Sequence, residues 1–201
     1  MMQPKARTRA KLTGADYMKL TPPSHRGVRY QLIEGDLIEM AGASRAHQGF
    51  TGRFYMQLTL QTDGLGIGET AISPLDVAID EHNTFQPDVL FVSNERLHIF
   101  DNDGHGVTGA PDVVVEVLSE STRQHDLNVK RPVYARNGVR EMLAVDLAAE
   151  SVAKYVGDGQ SMTLARVYGP DDILTSDAMP GVAIDLGPIF ARIRSAVLPD
   201  P

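Results

Sequence analysis

The sequence has no cysteine and no tryptophan, and it has only 6 phenylalanines and 6 tyrosines in 201 residues. The absence of cysteine excludes disulfides and thiolate metal sites, and it fits a reducing compartment. No apolar run approaches the roughly 20 residues that a membrane-spanning helix needs. The basic start of the chain has no apolar segment behind it, unlike a secretory signal peptide. We therefore expect a cytoplasmic protein that does not contact a membrane.

The charge of the chain is negative but unevenly distributed. The net charge of −7 has the wrong sign for a protein that coats nucleic acid without sequence preference. Basic residues are concentrated in residues 1–11, which contain no acid, and in residues 121–140, where Asp126 is the one acid against 5 basic residues. The second segment is either a solvated helix face or a track for phosphate groups, and charge alone does not decide between them.

Local patterns in the first half predict a hairpin, a helix and two strands. Residues 15–20 are predicted to form a short helix that is stopped by two prolines. Alternating apolar residues on either side of Glu34-Gly35-Asp36 predict a hairpin. Apolar positions at helical spacing predict an amphipathic helix over residues 46–62. Residues 75–80 and 86–93 are predicted to form two paired strands joined by a turn.

The second half predicts a mixed sheet with helices on its faces. A strand over residues 111–119, a helix over 126–138 and a strand over 140–146 form a run that favours parallel pairing of the strands. Pro132 predicts a break in that helix. Two further strands predict a meander, and a closing helix follows. The expected class is α/β (α+β), with residues 1–14 as a basic flexible tail and residues 15–201 as one domain.

Residues 113–119 read VVVEVLS, and Glu116 lies among valines that are typical of a buried strand. Alternate residues of a strand share a face, so Glu116 and Leu118 point to the same side. An ionised carboxylate on a buried face must shift its pKa, pair with another charge or bind a cation. Glu116 is therefore a candidate functional residue that needs a partner.

Asp88 and Asp112 both occur in the tripeptide Pro-Asp-Val and are candidate partners for Glu116. Asp112 lies on the same strand, about 13 Å from Glu116 at ~3.3 Å per residue, which is too far for one Mg²⁺ ion with ligands at roughly 2.1 Å. Asp88 belongs to another predicted strand, and neighbouring strands are about 4.7–4.9 Å apart. Without Glu116, Asp88 would read as a turn aspartate beside a proline. The sequence therefore favours Asp88 as the partner and Asp112 as the residue that begins a strand.

Two carboxylates suit Mg²⁺ or Mn²⁺ rather than zinc. These ions polarise phosphoryl oxygens and lower the pKa of bound water, and a nearby lysine would stabilise the negative charge that develops in phosphoryl transfer. Lys130 follows the Glu116 strand by one loop, in a helix that is expected to pack over that strand. A single lysine is otherwise an exposed, solubilising residue, so both interpretations of Lys130 stay open.

Several motifs occur in a fixed order along the chain: YQLIEGDLIEM, a following histidine, QPDVLFVS, PDVVVEVLSEST, D-x-x-x-K, YARNGV and a strand that ends in aspartate. From about Tyr17 to Tyr155 this order resembles the Uma2 family of restriction-endonuclease-like proteins. The resemblance implies the PD-(D/E)XK nuclease fold, with a central mixed β-sheet flanked by helices, an N-terminal hairpin and a C-terminal meander. It also implies a Mg²⁺-dependent site for phosphodiester hydrolysis.

The resemblance implies roles for individual residues. Asp88 matches the first metal ligand and Glu116 the second acid, and the backbone carbonyl of Val117 would complete the set. The superfamily's lysine is expected two residues after the glutamate, where this chain has Leu118. In Uma2-like sequences that lysine is found in the following helix, which matches Lys130.

Two further residues follow from the same resemblance. Glu34, at the tip of the first hairpin, either supplies a further acid or is an ordinary turn residue. His47, before the first long helix, either orients water or phosphate or caps that helix. From the basic segment, Arg123 and Arg131 are candidates for contacts with DNA phosphate.

The sequence favours a Mg²⁺- or Mn²⁺-dependent DNA endonuclease, and because cleavage of both strands commonly uses two protomers, we expect a homodimer. The alternative is a catalytically inactive nuclease fold that serves as a DNA-binding or protein-interaction module, which Leu118 and the acidic surface favour. A glycosidase-like pair of carboxylates fits poorly with so few aromatic residues.

Overall fold

A computed structural model describes residues 11–20, 29–40, 42–101, 106–120 and 122–197. Within these residues the chain forms a six-stranded sheet, a five-stranded sheet and a two-stranded ribbon, with helices packed against them. The predicted α/β (α+β) class is therefore confirmed. Most of the predicted basic tail lies outside the described residues, but residues 11–14 are attached to the first hairpin, for example through the Leu12 N–H, which donates to the Gly35 carbonyl at 3.0 Å.

The first hairpin forms because its turn residues tolerate left-handed backbone angles. Strands β1 (Arg29–Ile33) and β2 (Asp36–Met40) pair antiparallel, and the turn residues Glu34 and Gly35 have φ of 50° and 77°. Two positive φ angles in succession are typical of the two-residue type I′ turn. The predicted hairpin is thus confirmed. Helix α1 (Gly14–Leu20) precedes it, and the prolines that were predicted to stop this helix lie outside the described residues.

Helix α2 (Arg45–Leu65) is the longest helix of the described chain. It begins at Ser44, whose side chain accepts the His47 N–H, and it ends at Gly66, which has the left-handed angles of a C-terminal cap. The prediction for residues 46–62 is confirmed, and the helix extends three residues further because Gly66 is the residue that stops it. Its buried face carries Phe50, Phe54, Leu58 and their neighbours.

The six-stranded sheet consists of β3 (Gly68–Ile72), β6 (Val89–Ser93), β8 (Val113–Leu118), β9 (Glu141–Asp146), β10 (Ser151–Gly157) and β11 (Met162–Tyr168). Their order in the sheet is β11-β10-β9-β8-β6-β3. Strands β8 and β9 pair in parallel, as the strand–helix–strand run predicted, and the other neighbours pair antiparallel. The predicted C-terminal meander is formed by β9, β10 and β11.

The five-stranded sheet corrects one prediction about which strands pair. Residues 75–80 and 86–93 were predicted to pair with each other. Instead β4 (Asp76–Asp80) pairs with the three-residue strand β5 (Asn83–Phe85), and β6 belongs to the other sheet. The chain leaves β5 at Gln86-Pro87, where proline has no N–H for a sheet hydrogen bond, and crosses between the sheets. The remaining strand of this sheet is β7 (Gly106–Thr108), which follows a 3₁₀ helix (Asn94–Ile99). The order of the strands in this sheet is β2-β1-β5-β4-β7.

Two apolar cores cover the two faces of the six-stranded sheet. One core contains Val113, Val115 and Val117 together with the buried faces of α2 and of the last helix, α5 (Leu186–Val197). The other contains Val114 together with side chains from the five-stranded sheet. A ribbon of β12 (Ile173–Thr175) and β13 (Ala183–Asp185) completes the first core. The alternation predicted for the VVVEVLS strand is therefore correct.

Residues 123–136, between β8 and β9, are helical throughout, which corrects the predicted break at Pro132. It consists of α3 (Arg123–His125), a π-helical segment (Asp126–Lys130) and α4 (Arg131–Arg136). The Arg131 N–H donates to the carbonyl of Asp126, five residues earlier. This wider turn lets Pro132, which has no N–H, enter the first turn of α4 without breaking the helix.

No helix among the described residues is long and apolar enough to cross a membrane.

Candidate functional site

Asp88 and Glu116 meet at one end of the paired strands β6 and β8. The pairing ends at Val89 opposite Val115, and Asp88 directly precedes β6. The Asp88 N–H donates to the Val115 carbonyl at 3.0 Å, which holds Asp88 beside the chain next to Glu116. Both residues line a cavity of about 220 Å³, which we call the acid cavity. The structure thus brings together the two acids that the sequence paired.

Asp88 is held by contacts on both carboxylate oxygens. Its Oδ2 accepts the backbone N–H of Val117 at 2.7 Å, and its Oδ1 lies 2.7 Å from Nε2 of His47. His47 reaches this point because α2 begins directly beside the acid cavity. Val117 contacts Asp88 through its amide, and the role expected for its carbonyl stays a prediction.

Glu116 is buried and has neighbours of both signs. Its Oε1 accepts the Tyr134 hydroxyl at 2.7 Å, and the Lys130 ammonium lies 3.1 and 3.2 Å from the two oxygens. Burial raises the pKa of Glu116 to about 8; Lys130 opposes the rise, and the carboxylates of Asp126 and Asp88 add to it. Without a bound cation, the Glu116 carboxyl group is therefore mostly protonated near neutral pH.

Lys130 reaches the acid cavity from the π-helical segment, as the sequence predicted. Its Nζ lies 2.9 Å from Oδ1 of Asp126, and both side chains are buried. Burial by itself would lower the pKa of Lys130, but Glu116 and Asp126 outweigh this effect and raise the pKa above its usual value. Lys130 is therefore a permanently charged member of the site rather than an exposed solubilising residue.

One wall of the acid cavity carries two hydrogen-bond acceptors that have no donor as a partner. Gln31 and Gln86 line the cavity, and the side-chain oxygen of each is buried with no hydrogen-bond partner among the described residues. Gln31 is 1% exposed. Buried acceptors of this kind require donors, which water molecules can supply.

The lining of the acid cavity fits a hydrated divalent cation. The buried carboxyl groups of Glu116 and Asp126 and the partly exposed one of Asp88 lie beside Lys130. Arg29 also lines the cavity but donates to the Ser73 hydroxyl at 3.1 Å. Carboxylate oxygens are ligands that Mg²⁺ accepts, and this ion usually keeps several of its waters. Among the described residues, no group of 3 or more acidic or histidine side chains is already arranged to hold a metal ion.

Three residues singled out from the sequence lie in other surroundings. Glu34 is exposed at the hairpin turn and does not line the acid cavity, which agrees with its alternative interpretation as an ordinary turn residue. Arg123 is ion-paired with Asp146, and Arg131 stacks on the Tyr155 ring at 4.7 Å. Both arginines are thus engaged within the chain, and their contact with phosphate stays a prediction.

Asp112, the second Pro-Asp-Val aspartate, lies directly before β8, at the entry to the strand. Its carboxylate accepts the Ser93 N–H at 2.8 Å and pairs with Arg96 at 3.1 Å. Leu118 lies on the wall of the acid cavity, in the position where the superfamily has its lysine. The ammonium group in the cavity comes from Lys130 instead.

The site includes residues that the sequence analysis did not assign. Asp126, Lys130 and Tyr134 are spaced four residues apart, which places them on one face of a helix. That spacing was a usable signal. Gln31 and Gln86 gave no comparable signal, because their place in the cavity depends on how the two sheets meet.

Comparison with known proteins agrees with this architecture. The crystal structure of a "putative nuclease belonging to DUF820" from Anabaena variabilis ATCC 29413 superposes with a TM-score of 0.73 at 16% sequence identity. The match covers 90% of this chain and 99% of that chain. At this identity the likeness establishes the fold. No curated protein is significantly similar to the sequence.

A family model also matches the sequence. Residues 15–187 match the Uma2 model, whose description is "Putative restriction endonuclease". The match spans most of the 201 residues and includes every residue placed in the acid cavity. The chain therefore belongs to the Uma2 family.

Proposed function

We propose that this protein is an endonuclease that hydrolyses phosphodiester bonds of DNA with Mg²⁺ or Mn²⁺ as its cofactor. The observation that carries the proposal is the position of Asp88 and Glu116, which line one cavity, with Asp88 hydrogen-bonded to the backbone on both sides of Glu116. Membership in a family of nuclease-like proteins supports the choice of substrate.

In this proposal Asp88 and Glu116 hold the cation, with the carbonyl of Val117 as a third ligand. The cation supplies Lewis-acid activation of water and of a phosphoryl oxygen. The Val117 N–H and His47 fix the orientation of the Asp88 carboxylate. Tyr134 and Lys130 do the same for Glu116.

The charge of Lys130 has a second role in the proposal. A fixed, buried ammonium group stabilises the negative charge that develops on the transferring phosphoryl group. Asp126 holds this ammonium in place through the 2.9 Å ion pair. His47 lies where it can also orient water or phosphate, since it lines the acid cavity beside Asp88.

The test compares cleavage by variants of the two Pro-Asp-Val aspartates. Supercoiled plasmid is incubated with Mn²⁺ and with wild type, Asp88→Asn, Glu116→Gln or Asp112→Asn. We expect the first two variants to lose at least a hundredfold of the wild-type rate, because each removes a proposed cation ligand. Asp112→Asn is the matched control, since its carboxylate pairs with Arg96 and Ser93 outside the cavity.

Cation binding is measured separately by thermal unfolding. With 10 times its dissociation constant, a cation that binds the folded state adds about 1.4 kcal/mol to the free energy of unfolding. Wild type and Asp112→Asn should gain stability with Mn²⁺, and Glu116→Gln should not. Equal plasmid cleavage by wild type and Glu116→Gln would contradict the proposal.

A catalytically inactive nuclease fold is the second candidate. It is favoured by the contacts of the two acids, since the oxygens of Asp88 and Glu116 already have partners within the chain. Such a protein would bind DNA with no Mn²⁺-dependent change in its melting temperature. The thermal measurement therefore distinguishes the two candidates without a cleavage assay.

A further inference from the structure

Three arginines line a second pocket, which lies between α2 and α5. Arg45 and Arg53 from α2 and Arg192 from α5 line a cavity of about 180 Å³, which we call the arginine pocket. Gly49, Ile193 and Ser195 complete its lining. The spacing of positions 45, 49 and 53 places them along one stripe of α2, and Gly49 leaves room between the two arginines of that stripe.

The charges of the arginine pocket are not neutralised within the described chain. Arg45, Arg53 and Arg192 have no carboxylate within 4.0 Å among the described residues. Arg53 donates from Nη1 to the Gly49 carbonyl at 2.8 Å, which leaves its other donors available. In contrast, Arg194, two residues from Arg192, pairs with Glu150 at 2.5 Å.

The other described arginines have side-chain partners. Some pair with carboxylates, for example Arg96 with Asp112, and the rest donate to a hydroxyl or lie over a tyrosine ring, as Arg29 and Arg131 do. Three neighbouring guanidinium groups without a counter-charge repel each other and favour binding of an anion. Guanidinium groups match phosphate geometry with paired N–H donors.

The arginine pocket and the acid cavity share the first turn of α2. Ser44 and His47 line the acid cavity, whereas Arg45 and Gly49, the residues between and after them, line the arginine pocket. When a polyanion binds with its scissile phosphate in the acid cavity, the arginine pocket therefore lies next to it, at the N-terminal end of α2. The helix N-terminus adds partial positive charge at this point.

We propose that Arg45, Arg53 and Arg192 bind backbone phosphates of the nucleic acid whose phosphodiester lies in the acid cavity. The inference rests on the proposed function for the identity of the ligand. The arginine pocket supplies the local positive potential that the acidic remainder of the molecule lacks. It contacts phosphates and carries no sequence information, so binding through it is independent of base sequence and depends strongly on salt.

The test measures binding of a fluorescent duplex DNA of about 30 base pairs as a function of salt concentration. All proteins carry Glu116→Gln so that the DNA stays intact. Arg53→Gln and Arg192→Gln should each reduce the magnitude of the negative slope of log K against log[salt] by about 0.9 and weaken binding about eightfold near 0.1 M salt. Arg194→Gln, on the same helix but ion-paired with Glu150, is the matched control and should leave both quantities unchanged.

The salt slopes test the inference, and the Mn²⁺-induced thermal shift tests the proposed function. Slopes and affinities of Arg53→Gln and Arg192→Gln equal to those of Arg194→Gln would overturn the inference, and no binding of the duplex at about 50 mM salt would overturn both. In proteins with Glu116 intact, the Mn²⁺-induced thermal shift of Arg53→Gln and Arg192→Gln should match wild type, which shows that these variants are folded. If that shift is present but the salt slopes do not change, the proposed function survives and the arginine pocket is not its DNA contact.

Discussion

At the scale of single residues, the site is a group of buried charges that do not balance. Glu116, Asp126 and Lys130 are each 2–4% exposed, and Asp88 lies beside them. A lysine can satisfy one carboxylate fully, and the remaining negative charge is removed either by a proton or by a cation. This competition is what makes Glu116 sensitive to both pH and metal ions.

Glu116 gives the apo protein a pH-dependent stability. Burial raises its pKa from 4.5 to about 8, so the folded protein holds a proton that the unfolded chain has released. The stability from this proton is complete below pH 4.5 and is lost as the pH rises through 8. In EDTA, urea denaturation should give a lower free energy of unfolding at about pH 9 than at about pH 6.

Glu116→Gln is the control, because a neutral amide removes the titrating group and should flatten the pH dependence. Saturating Mn²⁺ should also reduce it in wild type, since the cation takes the place of the proton. A wild-type protein that is equally stable at both pH values would show that Glu116 stays ionised in the folded state.

The two acids were predictable from the sequence, but only some of the groups that contact them and shift their pKa values were predictable. Glu116 is conspicuous among valines, and Pro-Asp-Val marked Asp88. Tyr134 was inconspicuous, because a tyrosine in a helix is most often an ordinary core residue. Its hydroxyl becomes important only where the helix packs over β8.

At the scale of elements, short turns and caps fix the walls of the acid cavity. Strand β1 carries Arg29 and Gln31 to the cavity, and the Glu34-Gly35 turn sets the register of β1 against β2. Gly35 has φ of 77°, and a Cβ atom added there would lie 2.6 Å from Cβ of Lys11. Both the backbone angle and the close approach require glycine.

Gly35→Ala should therefore destabilise the protein by about 1–2 kcal/mol or more, since an L-residue with a side chain is strained at this backbone angle. Chemical denaturation measures the change. Gly52→Ala is a matched control within α2, where a Cβ atom meets nothing within 4 Å. There alanine should stabilise the helix by about 0.5–1 kcal/mol. Equal effects of the two substitutions would mean that the turn does not constrain Gly35.

Local elements were largely predictable, whereas the pairing of strands was not. The hairpin, α2 and β8 have strong local patterns. Strand β5 has three residues within a segment that reads as a turn, and the sheet to which β6 belongs is decided by contacts with β3 and β8. Pairing between strands distant in sequence leaves no local pattern, so two sheets were interpreted as one.

At the scale of the whole molecule, the six-stranded sheet lies between two apolar cores. Its inner strands β8 and β9 are buried along almost their whole length. Regions with the most buried contacts open only when the entire domain unfolds. The predicted homodimer and the cytoplasmic location concern the molecule at this scale too, and both stay predictions.

Amide hydrogen exchange should therefore be slowest in β8 and β9 and should approach the rate of global unfolding there. The β1–β2 hairpin should exchange faster, because β2 is an exposed edge strand. Exchange followed by peptide mass spectrometry measures both regions in one experiment. Faster exchange in β8 than in the hairpin would contradict this order of stability.

The helix that follows β8 has an evolutionary consequence. Residues 116–134 contain Glu116, Asp126, Lys130 and Tyr134, so most of the charged network is encoded in one uninterrupted stretch of chain. A recombination event could transplant this stretch as a cassette, provided that the recipient offers an aspartate in the place of Asp88. For the same reason, a circular permutation opened at the exposed turn near Gly159 would leave the network whole.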